Sequence, residues 1–218
     1  MKLQTVVVVA GGHPFGDRLP SLPDGAFVIA ADGGIDRALA LGLQVDVAIG
    51  DFDSATPEGL AAAEAAGARF ERHPAAKDAT DLELALDAAL ALDPARILVV
   101  GSSGGRLDHL LGSLLLLGAE RYAGVTIDAL LGAAKAHVVR ESRTLAGAPG
   151  DLLSLLPLDG AAEGVTTEGL EYPLHDETLT AGTSRGISNV FSGTEARITV
   201  ARGGLLAVRP ARDGEESP

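Results

Sequence analysis

Short β-branched runs alternate with segments of helical periodicity from residue 1 to about residue 131, and this alternation constrains the fold most strongly. Six runs predict strands: TVVVVA (5–10), FVIAA (27–31), VDVAI (45–49), ARFERH (68–73), RILVV (96–100) and VTIDALL (125–131). Strands that alternate with helices build a mainly parallel sheet, because each crossover returns the chain to the same end of the sheet. We therefore predict an open α/β sheet of the Rossmann-like kind.

Two of the intervening helices are predicted from their apolar spacing. The first, TDLELALDAALAL, has apolar residues on one face at Leu82, Ala85, Leu86, Ala89 and Leu90. The second, LDHLLGSLLLLG, repeats the pattern at Leu107, Leu110, Leu111, Leu114 and Leu115. Recurrence at intervals of three and four residues is typical of an amphipathic helix.

The helical period disappears after about residue 132. Strand-like pieces such as DLLSLLPL (151–158), ARITVA (196–201) and GLLAVRP (204–210) are separated there by Gly-rich turns, which predicts an all-β unit. We expect an α/β domain over residues 1–132, a smaller β-sandwich domain over 133–210, and a flexible tail over 211–218.

Charge and composition exclude several classes of function. Seventeen Lys and Arg against thirty Asp and Glu give a net charge of −13, which argues against nucleic-acid and anionic-membrane surfaces. The chain contains no cysteine, which excludes disulfides, thiolate catalysis and cysteine-bound zinc. The first residues predict a strand rather than a signal peptide, and no stretch is apolar enough to span a membrane, so we expect a cytoplasmic protein.

Acidic residues follow the predicted strands. FVIAA is followed by Asp32; VDVAI by GDFDS (50–54); ARFERH by a loop with KDATD (77–81); and RILVV by GSSGGRLDH (101–109). Ligands of an open α/β sheet bind outside the carboxyl ends of its strands. Carboxylates gathered at that edge repel one another unless a cation lies among them.

A magnesium ion is the simplest such cation, because Mg²⁺ prefers oxygen ligands and is commonly held by one or two carboxylates together with substrate phosphates. Asp51 and Asp53 form the best pair, since alternate residues of an extended segment point the same way. The structural alternative is that single Asp residues cap helices or close turns.

Two Gly-rich strand exits, AGGHPFG (10–16) and GSSGGR (101–106), are candidate anion-binding loops, because backbone N–H groups and a helix N-terminus attract phosphate. Arg106 adds a fork-shaped cation. Either loop is also compatible with a purely steric role. Thr80 and Glu83 fit a capping box, so Thr80 is a helix cap or a phosphate donor.

The ordered set of motifs resembles the thiamine pyrophosphokinase family. The matching pieces are ADGG (31–34), GDFDS (50–54), KDATD (77–81), GGRLDH (104–109), VTTEGLEYPL (165–174) and SRGISN (184–189), which span nearly the whole chain. The resemblance implies an α/β nucleotide-binding domain, a β-sandwich, and a homodimer whose thiamine sites combine domains of both subunits. It also implies the reaction of ATP with thiamine to give thiamine diphosphate and AMP, with Mg²⁺ required.

By position, the resemblance implies roles for individual residues. Asp51, Asp53 and Asp81 are expected to hold the metal and to guide the thiamine hydroxyl. The expected ATP site comprises Gly11, Gly12, Asp32, Gly33, Thr80, Gly105, Arg106, Asp108 and His109. Ser188, Asn189 and Phe191 are expected to contact thiamine.

The sequence departs from the family pattern in two places. Ser113 occupies a position that is often Asn, and the chain contains no Trp, so stacking on thiamine rests on Phe191 or Tyr172. Three alternatives stay open: diphosphoryl transfer to another alcohol such as a hydroxymethylpterin, a thiamine- or nucleotide-binding regulator without turnover, and a metal-dependent phosphohydrolase.

Overall fold

The computed structural model describes residues 4–12, 25–101, 105–158 and 160–211. Residues 13–16 and 102–104 of the two Gly-rich exits, and residues 212–218 of the predicted tail, lie outside these ranges. The described chain forms two compact units. The first comprises the residues up to 116 together with 124–132, and the second comprises 117–123 together with the residues from 133 onward.

Six strands of the first unit form a parallel sheet. They are β1 Thr5–Ala10, β2 Phe27–Ala31, β3 Val47–Gly50, β4 Arg69–Arg72, β5 Arg96–Gly101 and β6 Thr126–Leu131, and all six were predicted to within two residues at each end. Their order is β4-β3-β2-β1-β5-β6. The order reverses beside β1, so the ends of β1 and its neighbours form the crevice where a ligand binds in such sheets.

Four helices accompany these strands: α1 Gly34–Ala40, α2 Pro57–Ala65, α3 Asp81–Ala91 and α4 Leu107–Leu117. The face of α3 that was predicted to be apolar is buried at Leu82, Ala85, Leu86 and Ala89, and the helix packs on β1, β2 and β3. The sequence pattern of α3 therefore corresponds to its packing.

Helix α4 has the same apolar periodicity but a different environment. Leu107, Leu111 and Leu115 are 67%, 52% and 62% exposed. These residues recur every four positions, so they form one apolar row along the helix, which we call the α4 leucine row. Periodicity predicted the helix correctly, but it did not predict that this face is accessible.

The described part of the second unit contains eight strands. They are β7 Ala134–Val139, β8 Ser142–Ala146, β9 Leu152–Pro157, β10 Ala161–Glu168, β11 Glu177–Thr180, β12 Asn189–Val190, β13 Glu195–Thr199 and β14 Leu205–Arg209, preceded by a short 3₁₀ helix at Glu120–Tyr122. They form two antiparallel arrays, β12-β9-β14-β7 and β11-β10-β13-β8.

One core joins these two arrays. It contains Leu153 and Leu205 from the first array and Leu145 and Ile198 from the second, and all four side chains are buried. Alternate residues of each strand face this core, as in other β-sandwiches. Within the described ranges, no helix combines the length and the apolar character that crossing a membrane requires.

Candidate active site

Three carboxylates lie together at the carboxyl ends of β2 and β3. Asp32, Asp51 and Asp53 each offer an oxygen within 4.8 Å of the others. Asp32 and Asp51 are partly buried, whereas Asp53 is exposed. We call these residues the acidic triad. Oxygen donors at this spacing fit a hard divalent cation such as Mg²⁺, which also relieves their mutual repulsion.

Backbone contacts hold the acidic triad in place. The N–H of Asp32 donates to the carbonyl of Ile49 at 2.8 Å, and the N–H of Ser54 donates to Asp32 Oδ1 at 3.4 Å. The N–H of Asp53 donates to Asp51 Oδ1 at 3.3 Å, and the Ser54 hydroxyl donates to Asp53 Oδ1 at 2.9 Å. The loop after β3 is therefore tied both to itself and to the end of β2.

The buried side chain of Phe52 anchors the loop after β3. Its φ is +64°, a conformation that is rare for a bulky residue and recurs at functional sites. The ring is only 6% exposed, lies edge-on to Phe70 at 5.4 Å, and is covered by the Arg72 guanidinium at 4.9 Å. With the ring of Phe52 turned inward, Asp51 and Asp53 on either side of it stay accessible.

Asp81, the first residue of α3, is paired with a lysine. Lys77 Nζ lies 2.8 Å from Asp81 Oδ1 and 3.9 Å from Asp51 Oδ2. Its hydrogen bond to Asp81 and the nearby carboxylates raise the pKa of Lys77 above its usual value, so it is an ammonium ion at neutral pH. The structure thus groups Asp32 with Asp51 and Asp53. Asp81 lies beside that group and forms an ion pair with Lys77. The metal-binding assignment of Asp81 stays a prediction.

The glycine exits of β1 and β2 approach the same edge of the sheet. A methyl group at Gly11 would lie 3.5 Å from the backbone of Gly33, and one at Gly33 would lie 3.1 Å from the Ser54 carbonyl. Gly12 has a φ of +115°. The first three strand exits are therefore packed close together: a methyl group at Gly11 would make ordinary van der Waals contact, whereas one at Gly33 would press against the backbone of Ser54.

The residues predicted to border ATP on the later strand exits have local partners. The Thr80 hydroxyl caps α3 by accepting from the N–H of Glu83 at 3.2 Å. Arg106 donates to Asp108 through Nε at 3.2 Å and through Nη2 at 2.6 Å. This pairing lowers the pKa of Asp108 to about 2, although both side chains are largely exposed. Arg106 is thus a solvent-accessible cation.

Two further residues of the predicted ATP site lie at the N-terminal end of α4. Gly105 has a φ of +92°, which favours glycine. His109 is exposed, and its carbonyl accepts from the Ser113 hydroxyl at 2.6 Å. Ser113, at the position that is often Asn, is therefore bonded within its own helix.

A pocket of about 370 Å³ opens on the second unit, lined among others by Tyr172, Ser188 and Asn189. Tyr172 is 58% exposed. Asn189 is 3% exposed, and its amide donates to the Tyr172 carbonyl at 2.7 Å and accepts from the Tyr172 N–H at 3.1 Å. Asn189 therefore fixes the backbone that carries Tyr172 at the pocket. Ser188 has a φ of +56° and is exposed.

Phe191 lies in a different environment. Its ring has no exposed surface, the Arg209 guanidinium lies over it at 5.3 Å, and a methyl group at Gly147 would come within 2.6 Å of it. A ring packed in this way belongs to the core of the unit. The assignment of Phe191 to a ligand contact stays a prediction, and its burial favours Tyr172 for that role.

Comparison with known proteins agrees with the motifs. The family model for the catalytic domain of thiamin pyrophosphokinase matches residues 21–127, and that for its vitamin B1 binding domain matches residues 137–205. The thiamine pyrophosphokinase of Bacillus subtilis strain 168 is 30% identical over 95% of this chain and 99% of its own. The chain belongs to the thiamine pyrophosphokinase family.

Other members of the family are similar in sequence and in structure. Thiamine pyrophosphokinase 1 of Oryza sativa subsp. japonica is 27% identical over 71% of this chain and 62% of its own. The crystal structure from Bacillus subtilis superposes with a TM-score of 0.85 at 28% identity, covering 96% of this chain and all of that chain. The structure from Geobacillus thermodenitrificans superposes with a TM-score of 0.80 at 26% identity, covering 98% of this chain and all of that chain.

Three features of the candidate sites in this chain were not predicted from the sequence. Asp32 was expected beside the nucleotide, not in the triad; the pairing of Lys77 with two carboxylates was not predicted; and Tyr172 was only an alternative to Phe191. A signal for Lys77 was present, because the chain has three lysines and one lies in an acidic loop. Sequence carried no comparable signal for the burial of Phe191.

Proposed function

We propose that the protein is a thiamine diphosphokinase, which transfers the diphosphoryl group of ATP to the hydroxyl of thiamine and releases AMP in a Mg²⁺-dependent reaction. The observation that carries this proposal is the acidic triad at the exits of β2 and β3, in a chain of the thiamine pyrophosphokinase family. Phosphoryl transfer requires positioning and charge neutralisation more than covalent chemistry, and such a site supplies both.

The acidic triad fits the metal, since its three carboxylates converge within 4.8 Å. We assign Asp51 and Asp53 as its principal ligands, with Asp32 beside them. When bound, Mg²⁺ neutralises the charge of the polyphosphate. Asp81 stays in the proposal as a neighbour that faces the same edge of the sheet.

Residues of the first unit bind the nucleotide in this proposal. Arg106 is an exposed guanidinium suited to phosphate oxygens. Gly11, Gly12, Gly33 and Gly105 allow close approach of the backbone. The remaining members of the proposed nucleotide site are Asp32, Thr80, Asp108 and His109.

Residues of the second unit bind thiamine in this proposal. Tyr172 offers an accessible aromatic face, which attracts the cationic ring of the substrate. Asn189 positions Tyr172 through two hydrogen bonds, and Ser188 lines the same pocket. We expect Tyr172→Ala to raise the KM for thiamine about tenfold with little change in kcat, whereas a changed kcat and an unchanged KM would contradict stacking.

The chemical step is an attack of the thiamine hydroxyl oxygen on the β-phosphorus of ATP. The bond from that phosphorus to the α-phosphate oxygen breaks, and AMP leaves. We propose that the Asp81 carboxylate accepts the hydroxyl proton. The Lys77 ammonium lies 2.8 Å from Asp81 and offsets its charge. Arg106 stabilises the charge that develops on the phosphate oxygens.

We also propose a homodimer whose thiamine sites are shared between subunits. The α4 leucine row supports self-association, because a row of exposed leucines is an apolar surface of the kind that interfaces cover. A complementation experiment tests the sharing of sites. At thiamine concentrations well below the KM, Tyr172→Ala subunits alone should retain about a tenth of the wild-type rate and Asp51→Asn subunits almost none. Mixing the two should then raise the activity to roughly a quarter of the wild-type value, because half of the dimers are mixed and each has one intact site. No gain on mixing would contradict shared sites.

The function itself is tested by measuring AMP formation from ATP and Mg²⁺ with and without thiamine. We expect AMP and thiamine diphosphate in equal amounts and only with thiamine present. AMP formation with a hydroxymethylpterin, and none with thiamine, would show that the pterin is the acceptor. Phosphate release without an acceptor would indicate a phosphohydrolase, and ligand binding without any AMP would indicate a regulator.

A further inference from the structure

Lys77 connects two carboxylates that come from different parts of the chain. Its ammonium contacts Asp81 at 2.8 Å, which is a local pair between residues i and i+4. It also lies 3.9 Å from Asp51, which belongs to the loop after β3. Only 14% of the Lys77 side chain is exposed. Holding a lysine side chain in one conformation costs conformational entropy, so its contacts must offset that cost. A helix-end ion pair alone does not account for the contact with Asp51.

The charge around Lys77 is strongly unbalanced. The acidic triad and Asp81 together carry four negative charges, and Lys77 reduces this sum from −4 to −3. No other ion pair within the described ranges reaches these four carboxylates. An ammonium ion in this position repels a free divalent cation and attracts an anionic polyphosphate.

We propose that Lys77 is a positioning residue that sets the order of binding at this site: it disfavours a divalent cation without nucleotide and favours the same cation together with a polyphosphate. This inference rests on the proposed function and adds a role for a residue outside the acidic triad. Removing the ammonium therefore has opposite effects on the two ligands. A unit charge and a double charge a few ångströms apart, screened as in bulk water, repel by an amount worth roughly tenfold in a dissociation constant.

The experiment compares wild-type protein with Lys77→Gln, Lys77→Arg and Lys135→Gln. Lys135 is an exposed residue of β7 in the second unit, so its replacement makes the same change in net charge without altering the ion pairs of Lys77. Binding of Mn²⁺ without nucleotide is measured by electron paramagnetic resonance. Binding of α,β-methylene-ATP, in which the bond to be broken is not cleavable, is measured by calorimetry at saturating Mn²⁺.

We expect Lys77→Gln to bind Mn²⁺ roughly tenfold more tightly and the nucleotide analogue roughly tenfold more weakly. Lys77→Arg retains the charge and should behave as the wild type in both titrations, as should Lys135→Gln. Weaker binding of both ligands by Lys77→Gln would indicate a structural role and overturn the proposal. Unchanged binding of both would also overturn it. Either result is compatible with AMP formation by the wild type, so the proposed function is judged separately.

Discussion

Gly50, the last residue of β3, lies directly beneath the acidic site, and replacing it by alanine tests whether the site depends on close packing there. Its φ is +149°, a region that residues with a Cβ rarely adopt. A methyl group would lie 3.0 Å from Asp81 Oδ1 and 3.2 Å from Asp32 Cβ. Gly50→Ala therefore combines backbone strain with displacement of two carboxylates.

The magnitude follows from these two effects. Backbone strain of this kind costs about 1–3 kcal/mol of unfolding free energy. Contacts at 3.0–3.2 Å require neighbouring groups to move by a few tenths of an ångström. Because positioning dominates this chemistry, such a shift is expected to lower kcat by about tenfold. The assays are guanidinium unfolding for stability and AMP formation for kcat.

Gly67→Ala is a matched control. Gly67 also has a positive φ, of +91°, and a methyl group there would have no neighbour within 4 Å. It should lose about 1–2 kcal/mol of unfolding free energy and keep the wild-type kcat. A wild-type kcat in Gly50→Ala, or an equal loss of kcat in both variants, would show that the site does not depend on close packing at Gly50.

Three other perturbations have expected outcomes. Asp53→Asn should lower kcat at least about 100-fold while the unfolding free energy stays equal or rises, because a like charge leaves the triad; a loss of stability would contradict this. The pKa of Asp108, measured by NMR titration, should be about 2 in the wild type and should rise towards 3.8 in Arg106→Gln. The small stabilising contribution of the Asp108 carboxylate is complete above pH 3.8 and is lost as the pH falls towards 2. Phe191→Ala should cost about 3–5 kcal/mol of unfolding free energy without a specific rise in the KM for thiamine, and the converse would restore Phe191 as the stacking ring.

Much of the fold followed from local patterns. The continuous β-branched runs TVVVVA and RILVV, and the period of 3.6 along α3, are properties of adjacent residues, so they are visible in one sequence. The strand exits could be placed for the same reason, since each acidic motif directly follows its strand. That Asp51 and Asp53 lie at one edge of a parallel sheet was therefore predictable.

Local sequence patterns were sufficient to define the set of elements and the chemistry available at their ends. Tertiary packing decided which groups meet: Asp32 joins Asp51 and Asp53, and Lys77 lies between Asp81 and Asp51. It also decided which apolar surfaces are covered, since the α4 leucine row is exposed whereas Phe191 is buried. The physical reason is that periodicity records how a segment is built, whereas burial and pairing depend on what distant segments pack against it.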